Sequence, residues 1–462
     1  MSISGAVIVP HPPLIIPAVG RGEERQIQAT VDAYRAAARR VAQWDPEVLL
    51  LSSPHIVMYA DYFHIAPGKA AYGTMAAFRA PQERLEAEYD IALRAELVNR
   101  AEAASIPAGT RGERDPQLDH GSFIPLWFLR EAGVTCPVVR IGLSGLPPLL
   151  HYRLGQCAAE AAEALGRRAV WIASGDLSHK LRRDGPYGFV PEGPAYDREV
   201  TEAMASGDFA RFLEMDPALC DRAAECGQRS FQMMAGALDG LAVAPELLSH
   251  EGPFGVGYGV AVFSVTGRDA RRHFAAQYAE AEKRRLAARR AGEDAYVSLA
   301  RLSLETYVRT GRRLLSLPDA LPEALTAERA GAFVSLHKDG QLRGCIGTIA
   351  PTAPTLAEEI VRNAVSAGTG DPRFSPVTAA ELDALEYHVD VLAPPEPITS
   401  PAELDVKRYG VIVTYQNRRG LLLPDLEGVD TVAQQIDIAR RKGGIAANAP
   451  YTLERFEVVR HT

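Results

Sequence analysis

Of the 11 histidines in this chain, three stand where chemistry is most easily built. His11, His55 and His179 each follow an apolar run of strand character. Ile3–Val9 leads into Pro10-His11-Pro12-Pro13, Glu47–Ser52 into Ser53-Pro54-His55, and Ala169–Ala173 into Ser174-Gly175-Asp176-Leu177-Ser178-His179. In layered α/β folds the loops after the carboxyl ends of strands gather the ligand-binding groups. Two neutral imidazoles and one carboxylate leave open positions on a divalent metal, the usual platform for Fe(II) oxygen chemistry. Such a site takes a chelating substrate and a small co-substrate together. A further histidine held off the metal can accept a phenolic proton and return it. The three strand ends supply candidates for these roles, and spacing alone assigns none of them. His64, His151, His250, His273 and His461 are read as surface or loop histidines.

A second chemically suggestive stretch is Leu342-Arg343-Gly344-Cys345-Ile346-Gly347-Thr348. Cys345 stands between two glycines, where the chain can turn tightly and expose a thiol, and Arg343 beside it would favour the thiolate. Strand-flanking glycines also mark tight bends, and small buried cysteines are common. On physical grounds alone a structural role is the stronger reading.

Positioning these groups takes an α/β layer fold with a largely parallel sheet. The strand at 3–9 is followed by a helix over 23–43, a strand at 47–52, a helix over 83–104, a strand at 138–142, a helix over 153–165 and a strand at 169–173. Alternation of this kind builds parallel sheets. Val256–Val265 reads as a closing strand. Arg268–Arg290, rich in Ala, Glu, Arg and Lys, reads as an exposed connecting helix, with a domain boundary near 290. Its basic run (Lys283, Arg284, Arg285, Arg289, Arg290) is a solvated face, because acidic residues are interleaved. The expected organisation is a metal-binding domain over 1–267, a helical linker over 268–293 and a smaller α+β domain over 294–462. That last domain should have helices over 295–309 and 355–367 and strands at 332–336, 387–392 and 411–415, in a partly antiparallel sheet.

The 462 residues exceed what one compact core accommodates. Apolar residues at 47% and charged residues at 23% match an ordinary globular protein. A net charge of −8 argues against general nucleic-acid affinity. No stretch has the roughly 18 uninterrupted apolar residues of a membrane span, and Met-Ser-Ile-Ser-Gly lacks the features of a secretory signal. Cysteines 136, 157, 220, 226 and 345 are scattered, with no close pair, as expected of reduced thiols in the cytoplasm.

Five pieces in order carry a resemblance. They are Val9-Pro10-His11-Pro12-Pro13, Ser53-Pro54-His55, Leu118-Asp119-His120-Gly121 with Pro125-Leu126, the segment Ser174–His179, and Ala224-Glu225-Cys226-Gly227 followed by Gly236-Ala237-Leu238. With them, residues 1–265 resemble the class III extradiol dioxygenase superfamily, the LigB-like fold that includes the Memo proteins. The resemblance implies that His11, His55 and Glu225 ligate Fe(II) and that His179 is the acid–base histidine. It implies that His120 orients substrate or dioxygen and that the substrate is a small catechol-like or aminophenol-like aromatic. Asp176 would orient the loop carrying His179. Memo-type members match a cysteine at Cys226, which makes Cys226 the alternative ligand and Zn or Cu the alternative metal. Glu225 is the expected one.

Residues 294–462 resemble the AMMECR family. Besides the glycine-cysteine stretch, the match runs through Asn363-Ala364, Asp371-Pro372-Arg373-Phe374, Leu423–Thr431, Gln434-Gln435 and Lys442-Gly443-Gly444-Ile445. Arg343, Cys345, Asp371 and Arg373 are expected either to line a charged pocket or to set the fold and a protein-binding surface. The order of the two halves resembles fusions that work with a radical-SAM protein. The chain lacks a CxxxCxxC motif, so such a partner would be a separate polypeptide. The alternative function is therefore a metal-binding accessory or scaffold protein, and a homo-oligomer is compatible with either reading.

Overall fold

A computed structural model describes residues 2–114, 116–338, 340–426 and 428–462. The chain forms two compact units, Met1–Ala281 and Glu282–Thr462. In the first, six strands make one sheet: β1 (Ile3–Val9), β2 (Val48–Ser53), β3 (Val138–Gly142), β4 (Ala169–Ser174), β5 (Leu241–Glu251) and β6 (Tyr258–Arg268). Their order is β3-β2-β4-β1-β6-β5. β1 to β4 run parallel, and β6 and β5 close the sheet antiparallel.

The first four strands are almost wholly buried, so they read as continuous apolar runs, as strands covered on both faces do. Successive residues serve opposite faces. Ala6, Ile8, Leu50 and Trp171 enter one core, while Val7, Val9, Leu49, Leu51 and Ile172 enter the other. The helix Gln28–Gln43 covers the second face with Val31, Tyr34, Ala38 and Val41, which recur at helical spacing.

Several element boundaries differ from the sequence expectation. The helix expected over 23–43 begins with a 3-10 turn, Glu23–Ile27, before the α-helix starts at Gln28. The first part of the helix expected over 83–104 is instead a strand, Ala80–Glu88, which pairs antiparallel with Ala70–Met75. Arg84–Glu88 alternates polar and apolar residues, a period that suits a half-exposed hairpin. The helix begins only at Ile91, where the Asp90 carboxylate accepts from the Leu93 N–H. The edge strand β5 escaped notice because Pro245 and its glutamates look unlike a strand. An edge position tolerates both.

In the second unit all strand pairings are antiparallel. Gly331–Lys338 lies between Gln341–Gly347 and Glu386–Leu392, and Thr452–His461 joins these to Tyr409–Tyr415 and Arg418–Leu422. Helices Ala295–Thr310 and Leu356–Thr369 cover Val334, Leu336 and Val389. The first unit is thus α/β and the second α+β, as expected. Among the described residues no helix is long and apolar enough to cross a membrane.

Candidate metal centre

The register of the parallel sheet brings the strand-end loops together. Val9 pairs with Ser174, so His11 emerges beside the loop after β4, and its main-chain N–H donates to Asp176 Oδ1 at 2.8 Å. Its Nδ1 lies 3.0 Å from Ser174 Oγ, and that hydroxyl donates its one proton to the Gly121 carbonyl at 2.6 Å. Ser174 must therefore accept from His11, which assigns the imidazole proton to Nδ1 and leaves the Nε2 lone pair facing inward. That Nε2 is 3.0 Å from His55 Nε2 and 3.6 Å from Cys226 Sγ. The three ligand atoms lie within 4.8 Å of one another.

Cys226 sits in a turn between helices Pro217–Ala223 and Gln228–Ala237, and Ala224 takes the left-handed conformation there at φ 52°. The Asp176 N–H points at its sulfur from 3.3 Å. Glu225 is placed differently. Its Oε2 accepts from the Gln228 N–H at 2.6 Å and from the Tyr196 hydroxyl at 3.4 Å. Of the expected ligand Glu225 and its alternative Cys226, the thiol is the one that lies with the two histidines, while the carboxylate caps the next helix.

Burial and the neighbouring His55 hold His11 down to about 3. Burial, with His55 and His11 nearby, also holds His120 to about 3. Desolvation lowers His55 as well. These rings are neutral at ordinary pH, so each keeps one nitrogen lone pair that a metal can use. Burial, reinforced by Asp176 and Glu225, pushes the Cys226 thiol well above its usual range. Such a thiol ionises when a cation takes the place of its proton. Two neutral imidazoles and a thiol converging on one point fit a single borderline or soft metal ion. Burial also raises Glu225, to about 7.

A cavity of about 740 Å³ opens above these atoms. His120 begins the helix His120–Glu131, and its ring centroid lies 4.0 Å from that of His55 and 5.4 Å from that of His11. His179 lines the same cavity, with its ring edge-on to Tyr187 at 5.3 Å. Its buried Nδ1 has no hydrogen-bond partner among the described residues. Pro12, Leu14, Tyr187, Phe254, Val256 and Tyr258 supply apolar and aromatic walls. Behind His55 and His120, Asp119 accepts from Ser53 Oγ, the Ser122 N–H and hydroxyl, and Arg140 Nη2. Sequence reasoning missed this network. Asp119, placed as the N-cap of a helix that begins with His120, was its one legible sign.

The sequence model described as the catalytic LigB subunit of aromatic ring-opening dioxygenase matches residues 5–261. The chain belongs to the LigB family. The AMMECR1 model matches residues 297–461, so this is a LigB domain fused to an AMMECR1 domain. A protein of Clostridium acetobutylicum is 39% identical over 468 residues, covering 100% of this chain and 99% of that relative. A Thermotoga maritima protein is 57% identical over 155 residues, covering 33% of this chain and 88% of its own. A solved structure from Pyrococcus horikoshii aligns at 32% identity and a TM-score of 0.34, covering 36% of this chain and 88% of that one. One from Escherichia coli aligns at 16% and 0.37, covering 56% and 99%.

In the AMMECR1 domain the four residues expected around a charged pocket are brought together but paired with one another or with neighbours. Arg343 donates to both oxygens of Glu381 and to the Ser375 carbonyl. Arg373 clasps Asp371, whose Oδ2 also accepts the Cys345 N–H at 2.9 Å. Cys345 Sγ accepts from the Ser335 hydroxyl at 3.2 Å. Burial raises this thiol, and the cation that opposes the rise is Arg373, not the adjacent Arg343. Gly344 has a packing role, since a Cβ there would meet the Ala367 carbonyl at 2.2 Å. Asn363 donates to the Ala332 carbonyl and Gln435 to that of Tyr409, each tying helix to sheet. Glu427 of the Leu423–Thr431 stretch lies outside the described residues.

Proposed function

We propose that the LigB domain is a mononuclear, metal-dependent oxidoreductase acting on a small catechol-like or aminophenol-like aromatic, with His11, His55 and Cys226 holding the metal. The observation that carries this reading is the convergence of three ligand atoms within 4.8 Å beneath an aromatic-walled cavity. The family match supports aromatic ring-opening dioxygenase chemistry, and Fe(II) is the metal proposed for it. A metal bound there would supply a Lewis acid for the substrate oxygens and, as Fe(II), electrons for dioxygen.

The chain's own residues hold the ring and move its proton. Tyr187, Phe254 and Tyr258 offer faces against which an aromatic stacks. His179 takes the phenolic proton and later returns it, a role worth about 10²–10⁴ in rate. His120, kept neutral, offers a hydrogen bond from the His55 side of the cavity.

Cys226 favours a second reading. A thiolate suits Zn or Cu(I) better than Fe(II), and the AMMECR1 fusion fits a metal-binding component that serves a separate radical-SAM protein. Metal analysis of anaerobically purified protein, followed by Fe(II) loading and oxygen-uptake assays with catechols and aminophenols, separates the two. Uptake supports the first. Bound Zn or Cu, no uptake and a co-purifying radical-SAM protein support the second. Under the first, His179→Ala keeps its metal and loses about 10²–10⁴ of turnover. Equal metal loss in His179→Ala and His11→Ala would show the roles to be misassigned.

A further inference from the structure

The loop carrying His179 is fastened from behind by two residues outside the cavity. Asp197, in the helix Glu192–Ser206, is 2% exposed. Its Oδ1 accepts the Ser178 main-chain N–H at 2.8 Å, and its Oδ2 pairs with His250 Nε2 at 2.8 Å. His250 stands on the edge strand β5, and its side chain is 34% exposed, so the pair runs from solvent to the residue before His179. The fit around the carboxylate is tight. A Cβ on Gly257 would lie 2.2 Å from Asp197 Oδ2, and one on Gly193 would lie 2.8 Å from Ser178 Oγ.

The fastened loop is also joined to the ligand turn. The Ser178 hydroxyl and the His179 N–H both donate to the Ala223 carbonyl, at 3.0 and 3.1 Å. Ala223 ends the helix before Ala224, Glu225 and Cys226. The same helix that carries Asp197 presents Tyr196 to Glu225. One helix therefore braces both the acid–base loop and the turn that aims the thiol inward. Burying a carboxylate costs several kcal/mol unless it is well partnered. An apolar residue would fill this space without that cost, whereas only an acceptor can fix the Ser178 N–H.

We infer that Asp197 and His250 are positioning residues that hold His179 over the metal centre. This rests on the proton-transfer role proposed for His179. The partner of the buried carboxylate is a side chain that Gln can imitate as a donor, which gives the test its control.

The test is hydrogen–deuterium exchange of the full chain, with metal content and steady-state kinetics measured in parallel. In His250→Ala and Asp197→Ala, peptides spanning 177–180 should exchange about tenfold faster or more, since a hydrogen bond to a charged group is worth about 1.5–3 kcal/mol. Metal content should stay at the wild-type level. His250→Gln should recover most of the protection. With a turned-over aromatic, kcat should fall while KM holds, because substrate binding does not use this brace. Unchanged exchange at 177–180 in both alanine variants would overturn the inference. So would acceleration spread evenly over residues 1–281, or a Gln variant no better protected than Ala. Absence of turnover in the wild-type protein would count against the proposed chemistry, while the exchange result still decides the brace.

Discussion

Cys226 of the LigB domain and Cys345 of the AMMECR1 domain occupy similar local settings: each is next to a glycine, near a carboxylate, and has a thiol raised by burial. Their surroundings differ in what the groups are paired with. Around Cys226, two imidazole Nε2 atoms and a sulfur converge beneath a cavity and chiefly contact one another, and among the described residues the His179 Nδ1 has no partner. Around Cys345, each arginine has a carboxylate, the main-chain N–H has Asp371, and the sulfur has Ser335. A site that must bind something keeps donors or acceptors in reserve. A motif that shapes the fold uses them up. By that measure the first region is poised for a ligand and the second is a closed network.

The largest effect that tests this contrast is on metal content. Cys226→Ala and His11→Ala should each weaken binding by about two orders of magnitude or more, since each removes one of three protein ligands. Glu225→Gln and Cys345→Ala should bind as the wild type does. Isothermal titration with Zn(II) or Cu(I), after stripping, measures all four. Metal loss in Glu225→Gln with retention in Cys226→Ala would reverse the ligand assignment and restore the carboxylate reading.

That assignment marks where the sequence stopped being legible. His11, His55 and His179 could be placed from sequence because continuous apolar runs define buried parallel strands, and ligand loops follow their carboxyl ends. The choice between Glu225 and Cys226 depends on a left-handed Ala224 and on an N–H from Asp176, about 50 residues away in sequence. No local pattern encodes either. His250 reads in sequence as a surface or loop histidine for the same reason, because its partner lies on a different element. In the AMMECR1 domain the sequence showed the charged residues but not that Glu381, absent from the expected set, would take up Arg343.

The next effect in size is acid sensitivity of the metal-free LigB domain. His11, His120 and His151 are each held to about 3, chiefly by burial, against an ordinary value of about 6.5. A base whose folded value is depressed takes its proton only in the unfolded chain. Its contribution is therefore present above about pH 6.5 and is lost as the pH falls toward 3. Glu225 and Asp176, raised by burial to about 7 and about 6, act the other way. Their contribution is present below about pH 4 and is lost as the pH rises through those values. Burial lowers His55 and His64 of the same domain as well, so the histidines outnumber the two carboxyl groups and acid destabilises between pH 6 and 4.5, and more steeply below. Trp44, Trp127 and Trp171 all lie in the first unit, so tryptophan fluorescence in urea reports this domain alone. Stability that is flat or rising from pH 6 to 4.5 would mean that the histidines are not held neutral.

The smallest effect is the most pointed test of the closed network. If Cys345 were a reactive thiolate activated by Arg343, removing that guanidinium would slow its alkylation. Here desolvation governs the thiol, and Arg343 is engaged with Glu381 and the Ser375 carbonyl. Arg343→Ala should therefore leave iodoacetamide labelling of Cys345 as slow as in the wild type at pH 7.5. The same substitution should destabilise the AMMECR1 domain by about 1–3 kcal/mol, because it removes the two guanidinium hydrogen bonds to Glu381 and leaves that carboxylate only the more distant Lys338, at 3.5 Å, as a cation. A drop in labelling without a drop in stability would invert both halves of the argument. It would make Arg343 an activating charge and Cys345 a site with valence to spare, and the two cysteines would then be alike in function as well as in setting.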